Sequence, residues 1–166
     1  MKSNDTFYSH LKTPIGTLLL RFNSELELVS CEFKENGQSL PEANGFGIQE
    51  IDNAIQQLES YFEGTRTSFD LKLAPEGTEF QKKVWRQLLE IPYGKTTSYQ
   101  QMANKLGDPN VIRAAASANG KNPIAIVIPC HRVIGSDGSL TGYAGGLHRK
   151  KWLLEHESPA KQQSLF

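Results

Sequence analysis

Ser98-Tyr99-Gln100-Gln101-Met102-Ala103-Asn104-Lys105-Leu106-Gly107-Asp108-Pro109-Asn110-Val111-Ile112-Arg113-Ala114-Ala115-Ala116-Ser117-Ala118-Asn119-Gly120 reads as two short helices joined by a tight turn. Ser98 with Gln101 three residues on is a capping-box pattern, in which each side chain satisfies a backbone N–H at the helix start. The helix it opens ends near Leu106-Gly107. Asp108-Pro109 then offers an N-cap and a proline at the first helical position, launching a second helix over 110–119 with Gly120 as its stop. Such a pair is a helix-turn-helix candidate, and also a common packing unit. The second helix carries one arginine, Arg113, among mostly small residues. Major-groove readers present several long polar side chains. Small ones let a helix backbone come very close to its partner, and on composition alone they suit a buried helix packed on its neighbour.

Upstream, Thr78 with Gln81 is another capping box, ahead of Phe80, Val84, Trp85, Leu88 and Leu89 at helical spacing, with Ile91-Pro92-Tyr93-Gly94 closing that helix. Leu73-Ala74-Pro75-Glu76-Gly77 reads as a boundary. Before it the first third reads as strands. Leu18, Leu20 and Phe22 share one face of 16–22, and in 26–33 the apolar parity switches from Leu26 and Leu28 to Val29, Cys31 and Phe33, suggesting a bulge or a strand buried on both sides. Asn36-Gly37 is a turn signal, 41–47 reads as loop, and Ile51, Ile55, Leu58 and Phe62 recur at helical spacing before Gly64. This predicts a small α/β domain over 1–75, a mainly helical domain over 76–158 and a loose tail over 159–166.

The chain has 166 residues and a net charge of zero, enough length for one or two small domains with a real core. The charge is unevenly placed. Residues 1–75 hold six Lys and Arg against eleven Asp and Glu, a net −5, and 76–166 hold twelve against seven, a net +5. A basic half is a hint of nucleic-acid contact, and also what an uneven surface charge looks like. No apolar run reaches the roughly 18 residues of a membrane span, and the first residues lack a secretory pattern. Two cysteines, Cys31 and Cys130, are too few for a disulfide framework or a four-cysteine zinc site, and they fit a reduced, cytoplasmic setting.

The chemistry concentrates downstream. Asn122 to Val133 is an apolar, strand-like run that stops at Pro129, followed by Cys130 and His131. A thiol is a strong nucleophile only as thiolate, which a neighbouring imidazole or cation promotes. Adjacent strand residues face opposite ways, so these two meet only if the chain turns there, as Pro129 allows, or through a water. Gly135-Ser136-Asp137-Gly138 and Thr141-Gly142-Tyr143-Ala144-Gly145-Gly146 form a glycine-rich loop whose backbone can line a pocket. A last helix follows, with Leu147, Trp152, Leu153 and Leu154 as its core candidates. Glu157 near its end is poorly placed for the helix dipole unless it has a partner, for which His131 is the natural candidate.

Pro129-Cys130-His131-Arg132-Val133, with Asn122 before it and Tyr143-Ala144-Gly145-Gly146 and Trp152-Leu153-Leu154-Glu155-His156-Glu157 after it, resembles the O6-alkylguanine-DNA alkyltransferase family. The likeness runs from about Phe80 to Glu157. It implies an α+β protein, with a small ribonuclease-H-like α/β domain before a mainly helical winged helix-turn-helix domain. It also implies direct-reversal DNA repair: irreversible, single-turnover transfer of a methyl or larger alkyl group from O6 of guanine, or O4 of thymine, to Cys130. By that resemblance His131 is the base that acts through a water, Glu157 orients it, and Asn122 fixes the active-site turn. Tyr99 helps turn the nucleotide outward and protonates guanine N3. Arg113 is the finger that fills the base stack, and Ala114, Ala115 and Ser117 accompany it in the minor groove of double-stranded DNA, which is about 6 Å wide and admits only a slim helix. Val133, Tyr143 and Ala144 form the substrate pocket.

No metal or organic cofactor is implied, and the protein is expected to act as a monomer. Some relatives bind zinc in the N-terminal domain, for which Cys31 and His10 are too few. Some also carry a serine at the position of Ala144, where here only the backbone N–H faces O6. A non-reactive lesion-binding sensor is the alternative, against which the presence of Cys130 argues. The tail residues Gln162, Ser164, Leu165 and Phe166 resemble the pentapeptide by which bacterial repair proteins dock on the sliding clamp; they also read as an unremarkable tail.

Overall fold

The computed structural model describes residues 5–159, which divide into two compact units meeting at Glu76 and Gly77. The tail residues Gln162, Ser164, Leu165 and Phe166 lie outside the described residues.

In the first unit, β1 (Phe7–Thr13), β2 (Gly16–Phe22) and β3 (Leu28–Lys34) form an antiparallel sheet in that order. Thr13 pairs with Gly16 across the first turn, and Leu20 pairs with Cys31. Leu18, Leu20 and Phe22 all face the core, as their alternation predicts. The parity switch after residue 26 has a physical cause: Leu26 is a turn residue with φ 63, outside any strand, and the register slips between Arg21 and Phe22. The turn's N–H and C=O groups are gathered by Asn23, whose side-chain oxygen accepts from Glu25 N and Glu27 N, each at 3.0 Å.

Helix α1 (Gln49–Glu63) covers its core with Ile51, Ala54, Leu58 and Tyr61, one step round from the Ile51, Ile55, Leu58 and Phe62 stripe expected. Gly64 ends it at φ 84, a left-handed residue that lets its N–H cap the last carbonyls. Buried Gln57 donates to Asp70 O at 3.1 Å and accepts from Asp70 N at 2.9 Å, standing in for a strand partner along the segment that leads out of the unit.

The second unit is helical: α2 (Glu79–Leu88), α3 (Tyr99–Lys105), α4 (Ile112–Gly120) and α5 (Leu147–Glu157), with β4 (Thr97–Ser98) and β5 (Val133–Ile134) paired in parallel. Both capping boxes form, Thr78 with Gln81 and Ser98 with Gln101. The second helix of the pair starts later than expected. Asp108 caps a 3-10 turn over Pro109–Val111, accepting from Asn110 N at 2.9 Å, and the α-helix runs from Ile112 through Gly120 with Lys121 as its cap. Proline at the first position leaves tight i+3 bonding as the cheapest way into the helix.

Trp85 explains part of the small-residue composition of α4. Its indole N–H donates to Ala118 O at 2.8 Å, an approach to helix backbone that larger side chains would block. Burying Val84, Leu88 and Trp85 on that face contributes about 1.5–3 kcal/mol each. Among the described residues no helix is long and apolar enough to cross a membrane.

Candidate active site

The stretch 122–129 does not run as a strand, contrary to the sequence reading; it is a buried series of tight turns. Ile126 has φ 72, rare for a β-branched residue and costing of the order of 1–3 kcal/mol. Asn122 offsets that strain. Its amide donates to Ile128 O at 2.7 Å and Ile124 O at 3.2 Å, and its oxygen accepts from Ile124 N at 3.0 Å. Pro129 then sits at φ −82, ψ 62, with Cys130 N–H donating to Ile128 O at 2.8 Å. That is an inverse γ-turn, a geometry close to proline's fixed φ. A 3-10 turn over Cys130–Arg132 follows, so Cys130 and His131 lie on a turn and not on opposite faces of a strand.

Cys130 is 6% exposed, His131 0% and Glu157 2%. Glu157 Oε2 accepts from His131 Nε2 at 2.7 Å. Arg132 grips the same carboxylate with Nε to Oε1 at 2.7 Å and Nη2 to Oε2 at 3.1 Å, and its third nitrogen donates to Ile91 O at 2.6 Å. With Nε2 committed to Glu157, the buried Nδ1 of His131 has no hydrogen-bond partner among the described residues. It is the ring nitrogen left to accept a proton.

Electrostatics divide the labour. Burial alone would raise the Glu157 carboxyl, but hydrogen bonds and charges from His131 and Arg132 hold it well below the usual carboxylate range. Burial pushes His131 down, outweighing the pull of Glu157, so the imidazole is neutral near pH 7. Burial pushes the Cys130 thiol up, opposed by the Asn122 amide and the charge of Lys150. The resting cysteine is therefore a thiol next in the chain to a neutral imidazole, an arrangement suited to a nucleophile that is deprotonated only when a base acts.

The DNA-facing candidates separate. Arg113, Ala114 and Ser117 are exposed along one face of α4. Ala115, expected beside them, is 0% exposed and packs inward, so it is corrected to a core residue. Tyr99, at the start of α3, donates its hydroxyl to Thr141 O at 3.0 Å. Val133 and Tyr143 are buried, while Ala144 is exposed.

The face of α5 is also corrected. Leu147 is 49% exposed, and Trp152 and Leu154 are only partly covered; the side chains that go inside are Arg149, Lys150, Leu153 and Glu157. A search for apolar periodicity passes over charged residues at the same period. Lys150 is missed for that reason, whereas Arg132, on the turn after the cysteine, and Asn119, whose amide lies 3.4 Å from Cys130 O, carry no local signal of their role.

Two family models match the chain, one over each unit. Residues 6–75 match the 6-O-methylguanine DNA methyltransferase ribonuclease-like domain, and residues 79–159 match the DNA binding domain of the same proteins. The chain belongs to the 6-O-methylguanine DNA methyltransferase family.

Among its relatives, a methylated-DNA–protein-cysteine methyltransferase of Methanosarcina barkeri is 51% identical over 154 residues, covering 91% of this chain and 96% of the relative. One of Mycobacterium bovis is 56% identical over 155 residues, covering 90% and 91%. The crystal structure of Mycobacterium tuberculosis OGT in complex with DNA superposes with a TM-score of 0.81 at 42% identity, covering 96% of this chain and 99% of that one.

Proposed function

We propose that this protein repairs DNA by moving a methyl or larger alkyl group from O6 of guanine onto Cys130, once per molecule. The observation that carries the reading is the buried His131, held by Glu157 through Nε2 and open at Nδ1, next in the chain to a buried thiol. His131 takes the thiol proton at Nδ1 through a water. The sulfur attacks the alkyl carbon, an S–C bond forms, the C–O6 bond breaks, and its electron pair leaves with guanine, which takes a proton at N3 from Tyr99. The thioether product has no route back to a thiol under ordinary cellular reductants, so each molecule acts once.

A base within a duplex is out of reach, and extrusion costs a few kcal/mol. In this reading Arg113 fills the gap, supported by its exposure at the start of α4, and Ala114 and Ser117 leave the helix slim enough for the minor groove. Val133, Tyr143 and the Ala144 backbone form the pocket, and the reading includes O4-alkylthymine as a second substrate. It takes the protein to act as a monomer, without metal or cofactor, in the cytoplasm, where thiols stay reduced. Docking on a sliding clamp through Gln162, Ser164, Leu165 and Phe166 is a separate part of the proposal; equal clamp retention after removal of the last five residues would end it.

The test is intact-protein mass after mixing with a duplex containing O6-methylguanine. A gain of one methylene, about 14 Da, localised to Cys130 and absent in Cys130→Ala, is the result expected of covalent nucleophilic transfer. Tight lesion binding with no gain would instead make the protein a non-reactive sensor.

A further inference from the structure

Lys150 is given no step in the chemistry just described and bears on it only as a charge that opposes the raising of the Cys130 thiol, yet it is the most completely buried cation among the described residues, at 0% exposure. Its ammonium donates to Val133 O at 2.6 Å and to Thr141 O at 2.8 Å, and lies 5.8 Å from the centre of the Tyr99 ring. No carboxylate pairs with it among the described residues. Burying an ammonium costs far more than burying a methionine of similar length, and that cost shows in the lysine itself, which burial pushes down to about 8. A side chain kept at such expense is kept for its donors or its charge.

The donors have a specific use. The Thr141 carbonyl has two acceptor positions, one taken by Lys150 and the other by the Tyr99 hydroxyl at 3.0 Å. To give a proton to a flipped guanine, Tyr99 must release that carbonyl while the incoming base covers it from water, and an acceptor orphaned there would be costly. At Gly142, φ 67, a Cβ would lie 3.3 Å from the tyrosine hydroxyl, so that position offers no side chain as a replacement donor.

We propose that Lys150 is a positioning residue: it keeps the Thr141 carbonyl satisfied while the Tyr99 hydroxyl exchanges that carbonyl for the base, and so holds the pocket wall still through the reaction. The other bond, to Val133 just beyond the Cys130–Arg132 turn, ties the same wall to the segment that carries the cysteine. The inference rests on the methyl-transfer reading.

The experiment is a double-mutant cycle on the full chain, read as the first-order transfer rate at saturating O6-methylguanine duplex. Lesion affinity is measured separately in a Cys130→Ser background. Lys150→Met, which keeps volume and loses both donors, is expected to slow transfer about tenfold, the rate equivalent of one unsatisfied buried acceptor, with lesion affinity unchanged. In a Tyr99→Phe background the same substitution should slow transfer less than about threefold, because no hydroxyl is left to exchange.

Equal losses in the two backgrounds would overturn the proposal. Lys150→Gln keeps two donors without the charge and is expected to stay within about threefold of the parent. It decides the matter if the methionine variant does not fold, and a rate as low as about a tenth of the parent's would make the charge, not the donors, the function. An unmodified chain that transfers no methyl group sinks the methyl-transfer reading itself, a result distinct from an additive cycle in an active protein.

Discussion

Cys31 and Cys130 are both buried, and burial pushes both thiols up, yet their surroundings differ in kind. Cys31 sits in β3 among core leucines, where desolvation and then the charge of Glu32 drive it up to about 12. Around Cys130 every other influence opposes burial: the Asn122 amide, the Lys150 ammonium and the backbone N–H groups of the turn. Burial does not distinguish an inert core thiol from a nucleophile; the polar groups carried in with it do. The sheet unit buries apolar surface and little else, whereas the helical unit takes His131, Arg132 and Glu157 inside as one hydrogen-bonded set and holds buried Lys150 on the Val133 and Thr141 carbonyls.

The sharpest way to break that contrast is to exchange the two thiols' fates. Cys130→Ala is expected to abolish transfer altogether and Cys31→Ala to leave it intact, read as the mass gain on a methylated duplex. Transfer surviving in Cys130→Ala would place the acceptor elsewhere. Next in size is Glu157→Gln, which leaves His131 without its carboxylate. Loss of an oriented general base is worth about 10²–10⁴ in rate, so single-turnover transfer should fall by at least a hundredfold while lesion affinity holds. A fall in affinity alone would make Glu157 a structural group only.

Arg132→Met removes the fork from a carboxylate that is 2% exposed. Breaking a buried pair from one side costs about 3–5 kcal/mol, and chemical denaturation should show a loss of that order, with a slower transfer alongside it. An unchanged midpoint would mean that His131 alone holds Glu157.

Acid separates rate from stability. His131 is depressed below its ordinary 6.5, so the unfolded chain takes up a proton before the folded one does. The stability this contributes is present above pH 6.5 and is lost as pH falls through 6.5 toward the lower folded value. Glu157 acts in the same direction further down, its share lost as pH falls below 4.5 toward its depressed value. Melting temperature should therefore begin to drop on acidification before the transfer rate does, and a rate midpoint above 6.5 would overturn the assignment of a neutral His131 as base. The smallest effect is expected from Cys31→Ser, which puts a hydroxyl into an apolar core: about 1–3 kcal/mol of stability, measured by denaturation, and no change in transfer.

The parts of this architecture that were legible in the sequence are those written in local chemistry. Thr78 with Gln81 and Ser98 with Gln101 mark helix starts because the capping interaction is made within four residues. Gly64 marks a stop for the same reason. Pro129 announced the turn that brings Cys130 and His131 together. What was not legible depends on long-range pairing. The run 124–128 is apolar and β-branched enough to suggest a strand, and only the Asn122 clamp and a left-handed Ile126 make it a coil. Ala115 could not be told from Ala114 without knowing where Trp85 packs. On the inner face of α5 only Glu157 was legible, through its poor fit to the helix dipole; Lys150 escaped because it finds its partners in residues 133 and 141, neither of them on the same helix.

Glu157 stands in the last turn of α5, the part of any helix that opens most readily and the end where its dipole is least welcoming to a carboxylate. His131 and Arg132 hold that turn closed, so the support runs in both directions: the helix end orients His131, and His131 locks the helix end. Local melting of a single turn would thus silence the thiol while leaving the rest of the fold standing. Amide exchange at Glu155 and His156 should report readiness to react more faithfully than the melting point of the whole protein.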